Sequence, residues 1–351
     1  MKIMQVIPEL QMGGAERFCE ELTYTLMALG HQVLVVSLYS TETVLSKRME
    51  SAGVQMRYLG KKGGLDGSCL RRLRSHIRAF EPDAIHAHQY ALKYAVLASV
   101  GMRRRVVYTV HTLAGKETDR PLNRVLFACG GAVPVSLSEE VRRTVIAQYH
   151  LPEERCPVIY NGIPLERCMP VEDYGAGKPM RVVHVGRFAQ VKNHRCIVEA
   201  AKLLPRGQFH FLFLGEGELL PEIRDMVSAA GLADAFTFFG LSDNVYPHLR
   251  ESDVFILPSL WEGMPITIIE AMGTGLPIVA SDVGGIRDMI EDNVNGLLIE
   301  PEPRALADAL RRLAADVSLR ERLGKSALAA SERFSIEATA RAYIKLYEGL
   351  I

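Results

Sequence analysis

Short apolar runs alternate with amphipathic segments along almost the whole chain, and this alternation most constrains the fold. Runs such as VLVVS at 33–37 and FHFLFLG at 209–215 are apolar on both faces, as strands covered by helices on both sides must be. The pattern therefore predicts parallel sheets built from strand–helix–strand units. The predicted strands cover residues 3–7, 32–37, 55–59, 84–87, 106–110, 132–135 and 157–159, followed by 181–185, 210–214, 237–239, 254–257, 277–280 and 296–299.

The two series of strands predict two domains, which a length of 351 residues also favours. The stretch LERCMPVEDYGAGKP at 165–179 has little periodicity and contains two prolines and two glycines, so it is typical of a linker. We expect an N-terminal domain over residues 1–168, a linker over 169–179 and a C-terminal domain over 180–332. Ligands of doubly wound sheets bind beyond the carboxyl ends of the strands, so two facing domains would bind a ligand in the cleft between them. The amphipathic segment 335–351 predicts a last helix, whose apolar face must cover one of the two domains.

The net charge is zero, because 41 basic residues balance 41 acidic ones, but the balance is uneven along the chain. Residues 1–165 contain 21 basic and 15 acidic residues, net +6, which leaves 20 basic and 26 acidic residues, net −6, in 166–351. The basic half carries the clusters Lys61-Lys62, Arg71-Arg72-Leu73-Arg74 and Arg103-Arg104-Arg105. Such clusters attract an anionic membrane surface or phosphates, although scattered solvated charge also explains them. No nucleic-acid-binding motif accompanies them, so we expect no nucleic-acid partner.

Six cysteines without any C-x-x-C pair predict neither a disulfide framework nor a zinc site, and they fit a reducing cytosol. The segment MKIMQVIPEL at the N-terminus turns polar too early for a signal peptide. No apolar run approaches the roughly 18 residues that span a bilayer. We therefore expect a cytoplasmic protein, whose membrane contact would be peripheral and on the inner face of the cell membrane.

Two cations follow the strand predicted at 181–185. Arg187 lies in Gly186-Arg187-Phe188 at the carboxyl end of this strand, and Lys192 opens the next predicted helix. Two cations in this position suit a diphosphate, because charge-assisted hydrogen bonds contribute about 1.5–3 kcal/mol each. A surface arginine and a helix-start lysine are the alternative. Lysine is a poor partner for the dipole at a helix N-terminus, and this mild conflict favours a bound anion.

The segment EGMPITIIE, from Glu262 to Glu270, joins the strand predicted at 254–257 to a helix in whose first turn Pro265 fits. Glu262 lies just before this helix and Glu270 about two turns along it, and each carboxylate suits the hydroxyl groups of a sugar or a ribose. As alternatives, Glu262 substitutes for a helix cap and Glu270 is solvated, but the apolar neighbours of Glu270 favour a function. Free N–H groups that suit sugar or phosphate oxygens are expected at Gly263, Met264 and Ile266.

The N-terminal half contains two further candidate sites. Gly13 and Gly14, in Met12-Gly13-Gly14-Ala15-Glu16, follow the first strand and open a helix, where they let a ligand approach the backbone; a strained turn is the alternative. His86 and His88 lie two apart at a strand end and suit a metal ion, but no third ligand is evident, which favours cleft-lining or structural roles. His111 ends the strand 106–110 and would point into the cleft, where it binds substrate or guides a proton; a structural histidine is the alternative.

Taken together, the motifs resemble glycosyltransferase family 4, a group of retaining enzymes with the GT-B fold. They occur in the order GGAE (13–16), VGRF (185–188) with Lys192, LGEGE (214–218), EGMPITIIEAM (262–272), ASDVGGI (280–286) and NGLLI (295–299). The resemblance covers essentially the whole chain, although the N-terminal half matches only through GGAE, His111 and Tyr160-Asn161-Gly162. It implies two doubly wound, Rossmann-like α/β domains that face each other across a cleft. It also implies that the last helix, within 333–351, crosses back to the N-terminal domain.

The resemblance further implies a nucleoside-diphosphate sugar as donor, bound mainly by the C-terminal domain, and an acceptor bound by the N-terminal domain. By this resemblance, Arg187 and Lys192 bind the diphosphate, Glu262 binds the sugar hydroxyls, and Glu270 binds the ribose. Gly14, beside Gly13, binds the phosphate. His111 would lie near the donor sugar and the acceptor.

Charge stabilisation explains how such a site would work without a metal ion. Cleavage of the donor leaves negative charge on the diphosphate, and Arg187, Lys192 and helix N–H groups would stabilise it as it develops. The sequence has no Asp-x-Asp triplet for a divalent ion, and we expect no cofactor. Retention in the family is commonly explained by same-face attack, in which the leaving phosphate takes the proton of the acceptor. Glu262 as a covalent nucleophile is the alternative.

We therefore predict transfer of a hexose or an N-acetylhexosamine from a UDP-sugar to a glycan or lipid-linked saccharide, in cell-surface polysaccharide or glycolipid synthesis. A sugar-nucleotide epimerase of the same fold is one alternative. A non-catalytic partner subunit of a glycosyltransferase pair is another, and the retained charged residues argue against it. A nicotinamide dehydrogenase is a more distant possibility, because the G-x-G-x-x-G fingerprint is absent.

Overall fold

The computed structural model describes residues 1–11, 13–102, 105–111, 114–116, 120–129, 131–175 and 179–350. The chain forms two compact units. Met1–Ile163 with Ile336–Ile351 make up the N-terminal unit, and Pro164–Ser335 make up the C-terminal unit. Each unit contains a six-stranded sheet and its own hydrophobic core, so the prediction of two doubly wound α/β domains is confirmed.

The sheet of the N-terminal unit is parallel throughout and has the strand order β3-β2-β1-β4-β5-β6. Its strands are β1 Lys2–Ile7, β2 Gln32–Ser37, β3 Gln55–Tyr58, β4 Ala84–His88, β5 Val106–Val110 and β6 Val133–Ser136. Its helices are α1 Gly14–Ala28, α2 Val44–Ser51, α3 Gly67–Phe80, α4 Leu92–Ser99, α5 Arg120–Cys129 and α6 Glu139–Tyr149. Side chains at the N-caps define several helix starts: Thr43 caps α2, Asp66 caps α3 and Ser138 caps α6.

The sheet of the C-terminal unit is also parallel and has the order β12-β11-β10-β7-β8-β9. Its strands are β7 Met180–Val185, β8 Phe209–Leu214, β9 Phe236–Gly240, β10 Val254–Leu257, β11 Ile278–Ser281 and β12 Leu297–Ile299. Its helices are α7 His194–Leu203, α8 Leu220–Ala229, α9 Tyr246–Arg250, α10 Ile266–Gly273, α11 Pro303–Ala315 and α12 Val317–Ser331. The continuous apolar strand sequences fit this arrangement, because the central strands are buried on both faces.

The last helix, α13 Ile336–Glu348, belongs to the N-terminal unit, where it packs against α1. Tyr343 and Tyr347 are fully buried in this contact. Their hydroxyl groups hydrogen-bond Thr109 Oγ1 and His86 Nδ1, each at 2.7 Å. The helix is therefore attached to the sheet by polar contacts as well as by its apolar face.

Three local predictions were wrong. The strand predicted at 157–159 is a single bridge between Ser136 and Val158, because the segment exchanges only two hydrogen bonds with Ser136 and Pro157 has no N–H to donate. Lys192 does not open α7 but ends a short 3₁₀ turn before it. Pro265 is the extended N-cap of α10 rather than a residue of its first turn, which places Glu270 about one turn into the helix.

Candidate functional site

The C-terminal sheet has its topological switch point between β7 and β10. The chain leaves β7 towards β8 on one side and later returns to β10 on the other side. The chain continues from these two strands towards opposite edges of the sheet, and doubly wound sheets bind their ligands at such a point. The loops that follow the two strands are joined by hydrogen bonds to backbone carbonyls: Leu260 N–H donates to Val191 O at 2.8 Å, and the Asn193 side-chain amide donates to Pro258 O at 3.1 Å.

Glu262, in the loop after β10, forms an ion pair with Lys192 from the loop after β7. Lys192 Nζ lies 2.6 Å from Glu262 Oε1, and the Ser259 hydroxyl donates to the same oxygen at 2.6 Å. The side chains of Lys192 and Glu262 are 18% and 10% exposed. Oε1 therefore has two donors, whereas Glu262 Oε2 has no polar partner among the described residues.

The loop after β11 packs directly on the backbone of Glu262. Gly285 N–H donates to Glu262 O at 3.2 Å. Gly284 has φ +53°, and a Cβ at this position would overlap Glu262 O. Only glycine fits here without displacing the backbone, because the conformation is left-handed and the space is filled. The glycines of ASDVGGI thus support Glu262 rather than forming only a turn.

Arg187 and Lys192 are each paired with a carboxylate. The stem of Lys192 runs along Gly186, because a Cβ on Gly186 would lie 3.4 Å from Lys192 Cγ and Cδ. Arg187, the next residue, is exposed and lies 3.1 Å from the exposed Glu218, a type of pair that contributes little to stability. Both cations therefore lie at the carboxyl end of β7, and their contact with a diphosphate remains a prediction.

The start of α10 offers polar groups beside Glu262. The N–H groups of Gly263 and Ile266 have no acceptor within the described ranges, and Pro265 caps the helix without a side-chain hydrogen bond. Met264 is 5% exposed and packs into the unit. Thr267 Oγ1 is buried and has no hydrogen-bond partner in the described part of the chain. A helix start with free donors and a positive dipole end suits an anion or sugar oxygens.

Glu270 is 4% exposed and lies on the buried face of α10. Cys168 packs against the same helix, because a Cβ on Gly273 would lie 2.5 Å from Cys168 Sγ. Burial raises the pKa of the Cys168 thiol to about 12, and the charge of the nearby Glu270 adds to this shift. The structure therefore encloses the Glu270 carboxylate rather than exposing it to bulk water. Its contact with a ribose remains a prediction.

Two buried histidines lie beneath this region and were missed by the sequence analysis. His184, on β7, hydrogen-bonds Ile256 O through Nδ1 at 3.0 Å, and His194, at the start of α7, stacks on Phe188 with ring centroids 4.0 Å apart. Burial lowers the pKa of His184 to about 4 and that of His194 to about 2, with Lys192 contributing to both shifts. Both rings are therefore neutral at pH 7. A polar residue within the apolar strand MRVVHV was the signal that could have found His184.

In the N-terminal unit, Gly13 and Gly14 begin α1, while Met12 of the same motif lies outside the described residues. A Cβ on Gly13 would overlap the Glu16 carboxylate, whereas no atom lies within 4 Å of one built on Gly14. Glu16 is nearly buried and accepts a hydrogen bond from Gln89 Nε2 at 2.7 Å, and burial raises the pKa of its carboxyl group. Gly14 is thus the open position of the pair. Binding of a phosphate by Gly13 and Gly14 remains a prediction.

His111 follows β5, is half-buried, and contacts His88. Its Nε2 lies 3.2 Å from His88 Nδ1, and His88 Nε2 lies 2.9 Å from Gln5 Oε1. His86 has separate partners, Tyr347 and Thr109. Burial holds the pKa of His86 and of His111 at about 3 and that of His88 well below its usual range. These contacts favour structural roles for His86 and His88, and the described residues contain no group of three side chains able to hold a metal ion.

A basic surface of the N-terminal unit is formed by α3 and the neighbouring end of α4. Arg71, Arg72 and Arg78 are exposed on α3. Arg74 donates to the carbonyl of Val100, whose side chain is 60% exposed. Residues 103 and 104 of the predicted arginine cluster lie outside the described residues. No helix in the described ranges is both long enough and apolar enough to cross a bilayer.

Comparison with known protein families gives two matches that follow each other along the chain. The family model described as Glycosyltransferase Family 4 matches residues 12–167, and the one described as Glycosyl transferases group 1 matches residues 172–329. Together they span nearly the whole sequence, with one match on each half.

Individual relatives are similar at lower coverage. The UDP-Gal:alpha-D-GlcNAc-diphosphoundecaprenol alpha-1,3-galactosyltransferase of Escherichia coli is 29% identical over 244 residues, which cover 62% of this chain and 62% of that protein. The match thus spans less than two thirds of the length of that relative. The N-acetyl-alpha-D-glucosaminyl L-malate synthase of Bacillus anthracis is 28% identical over 287 residues, covering 76% of this chain and 74% of the relative.

A solved structure supports the fold. Anabaena Alr3699/HepE, in complex with UDP and glucose, superposes with a TM-score of 0.88 at 21% identity and covers 99% of each chain. Identity this low shows the fold alone. With the two doubly wound units described above, it confirms the predicted GT-B fold.

Proposed function

We propose that this chain, which belongs to glycosyltransferase family 4, transfers a hexose or an N-acetylhexosamine from a UDP-sugar to a glycan or lipid-linked saccharide. The names of the two relatives support both donor sugars, because one is a UDP-galactose-dependent transferase and the other carries an N-acetylglucosaminyl group in its product. The complex of HepE with UDP and glucose supports a UDP-sugar. Cell-surface polysaccharide or glycolipid synthesis is the setting that we propose for the reaction.

The arrangement around Glu262 carries the proposal. One carboxylate oxygen is fixed by Lys192 and Ser259, and the other has no polar partner among the described residues. A fixed carboxylate next to a cation and free N–H donors can bind sugar hydroxyls and a diphosphate side by side. Preorganised donors of this kind stabilise charge as it develops on the leaving group.

The reaction that suits this site retains the configuration at the transferred carbon and needs no metal ion. The bond between the anomeric carbon and the β-phosphate oxygen breaks, and the acceptor oxygen forms its bond to that carbon on the same face. The acceptor hydroxyl proton passes to the leaving phosphate oxygen, while Arg187, Lys192 and the α10 N–H groups stabilise the diphosphate charge. In this scheme Glu262 binds the sugar hydroxyls, and Glu270 binds the ribose.

A matched pair of lysine variants tests the site. Lys192→Met removes the partly buried partner of Glu262, whereas Lys202→Met removes the exposed partner of Glu199, which has the same N–O distance of 2.6 Å. We expect Lys192→Met and Arg187→Ala to lower turnover by roughly 10² or more, the loss typical of a missing transition-state contact. Lys202→Met should transfer sugar at the wild-type rate. Unchanged turnover in both site variants would refute the assignment.

The products distinguish the alternative functions. The wild-type chain should bind UDP in a calorimeter and transfer sugar from one member of a UDP-sugar panel to an oligosaccharide or lipid-linked acceptor. Epimerised or hydrolysed donor with no transfer to any acceptor would favour the epimerase. No affinity for any nucleotide would favour a non-catalytic subunit, because the donor site would then be unused.

We further propose that the basic surface of α3 and α4 binds an anionic membrane, where a lipid-linked acceptor would be located. Exposed arginines lie on α3, the half-buried Arg74 of the same helix donates to Val100 O, and Leu97 and Val100 are exposed apolar residues, a combination that suits anionic head groups above acyl chains. Sedimentation with vesicles of phosphatidylglycerol should retain the protein at low salt and release it at high salt. If a double variant with Arg71→Glu and Arg72→Glu sedimented with these vesicles at low salt as fully as the wild-type chain, this proposal would be contradicted.

A further inference from the structure

A chain of buried hydrogen bonds runs from α1 through the first strand to His111. The Thr23 hydroxyl donates to Cys19 O at 2.7 Å, and Gln5 Nε2 lies 2.6 Å from Thr23 Oγ1. Gln5 Oε1 lies 2.9 Å from His88 Nε2, and His88 Nδ1 lies 3.2 Å from His111 Nε2. Gln5, Thr23 and His88 are fully buried, so no bulk water competes for these bonds.

The direction of every bond follows from the first one. A backbone carbonyl only accepts, so Thr23 gives its single proton to Cys19 O and must accept from Gln5. The Gln5 amide therefore presents nitrogen to Thr23 and oxygen to His88, and Nε2 of His88 must carry a proton. In a neutral imidazole the other nitrogen then accepts, which requires the proton of His111 to lie on Nε2.

The reversed chain satisfies fewer groups. If the Gln5 amide were flipped, the Thr23 hydroxyl would donate to Gln5 Oε1 and would no longer donate to Cys19 O. The Gln5 amide nitrogen, which lies 3.4 Å from Cys19 O in the observed orientation, would lose that contact as well. Buried polar groups are satisfied in nearly all native structures, so the orientation with more hydrogen bonds is favoured. A carbonyl on α1 thus determines the proton position of the His111 ring, which follows β5.

We propose that Thr23, Gln5 and His88 act as positioning residues that hold His111 in its Nε2–H tautomer, which leaves Nδ1 as a hydrogen-bond acceptor. The burial of the cluster keeps the rings neutral at pH 7, as the lowered pKa values of His88 and His111 require. Nδ1 of His111 has no hydrogen-bond partner among the described residues, and the residue is half-buried.

The consequence for catalysis rests on the function proposed above. An acceptor nitrogen binds a hydroxyl group and cannot bind a phosphate oxygen, so His111 would contact a hydroxyl of the donor sugar or of the acceptor. The opposite tautomer would place an N–H at the same position and would suit a carbonyl or phosphate oxygen instead. The relay therefore determines which chemical group His111 recognises.

Nitrogen-15 NMR of the histidine rings in the full chain tests the tautomer directly, with His111→Gln used to identify the signals. We expect Nε2 of His111 in the protonated range and Nδ1 in the unprotonated range. Thr23→Val removes the hydroxyl that orients Gln5, and Gln5→Met removes both amide groups, so either change should move the two shifts towards each other. A protonated Nδ1 in the wild-type chain, or unchanged shifts in both variants, would overturn the proposal.

Thr109→Val is the matched control, since Thr109 is an equally buried threonine whose hydroxyl bonds His86 and Tyr343 but not His88. It should leave the His111 shifts unchanged; a shift as large as that in Thr23→Val would mean that general loosening of the core, and not the relay, sets the tautomer.

Steady-state kinetics then tests the link to catalysis. We expect Thr23→Val to lower kcat about tenfold with little change in the donor KM, because the change acts through His111 and not through the diphosphate. Altered NMR shifts with unchanged kcat would overturn the link between the relay and the reaction. Absence of transfer by the wild-type chain would refute the proposed function instead, and the NMR result would still decide the tautomer.

Discussion

The Lys192–Glu262 pair predicts that neutralising Glu262 has opposite effects on UDP binding and on sugar transfer. In the structure Lys192 Nζ is bound to Glu262 Oε1, so a diphosphate must share this ammonium group or displace it from the carboxylate. Glu262→Gln keeps the size of the side chain and an oxygen that Ser259 can donate to, but it removes the competing charge. UDP, which lacks the transferred sugar that would contact Glu262, should therefore bind more tightly.

The exposure of the two side chains sets the magnitude of this effect. At 18% and 10% exposed the pair is neither a surface pair, worth about 0–1 kcal/mol, nor fully buried, and charge-assisted hydrogen bonds contribute about 1.5–3 kcal/mol. We therefore take about 1–2 kcal/mol as the free energy needed to displace Glu262 from Lys192 when UDP binds the wild-type chain. Because Glu262→Gln removes this cost, the variant should bind UDP about 5- to 30-fold more tightly. Transfer from the intact donor should fall by roughly 10², because the sugar hydroxyls lose their charged acceptor.

Isothermal titration calorimetry with UDP and a transfer assay with the UDP-sugar measure the two effects separately. Glu199→Gln is the matched control, because it neutralises the partner of Lys202 at the same 2.6 Å separation on an exposed helix face. Glu199→Gln should change neither the affinity for UDP nor the rate of sugar transfer. Unchanged or weaker UDP binding by Glu262→Gln relative to this control would show that Lys192 does not bind the diphosphate, and the division of roles between the two side chains would be refuted.

Three further predictions concern stability, and each is measured by thermal or denaturant unfolding. Gly284→Ala should lower the unfolding temperature more than Gly207→Ala, since both glycines have positive φ but only a Cβ at Gly284 would overlap the backbone; equal shifts would contradict this account. Burial lowers the pKa of His86 to about 3, so the unfolding free energy should fall as the pH drops below about 6.5, where the ring is protonated only in the unfolded chain. The decrease for one such histidine is up to about 1.4 kcal/mol per pH unit. An unfolding free energy that does not change from pH 6 to 4 would contradict the burial of a neutral His86. His194→Phe should leave stability unchanged or raise it, because neither ring nitrogen has a partner in the described part of the chain, whereas His184→Phe loses a backbone hydrogen bond and should lower it.

Most of the fold could be predicted because the central strands of each sheet are buried on both faces. The largely apolar run FHFLFLG still predicted its strand, and the observed β8 differs from the prediction by one residue at its start, although His210 and Leu212 on one face are only half-buried. The exception, residues 157–159, shows the limit of this reasoning. The sequence of an apolar tripeptide does not show whether a neighbouring strand can pair with it along its whole length. Here the neighbouring strand, β6, forms only two hydrogen bonds with it.

The candidate site could be predicted residue by residue but not as a set of contacts. Glu262 and Lys192 were each identified from local motifs, but they are 70 residues apart and were assigned to different parts of a ligand. Their ion pair depends on β7 and β10 being neighbours in the sheet, which is a property of strand order. Ser259 carried a weaker signal, as a hydroxyl at the end of a buried strand three residues before a charged one.

A polar residue inside an otherwise apolar strand is a constraint that the sequence does contain. Gln5 interrupts the run KIMQVI of β1, and a buried amide must find partners for both its oxygen and its nitrogen. Because β1 is central, those partners can come only from the elements beside it. The structure provides one from the overlying helix, Thr23, and one from the adjacent strand, His88. The requirement for two partners could thus be predicted from Gln5 alone, while the identity of the partners, and with it the tautomer that we propose for His111, required the strand order.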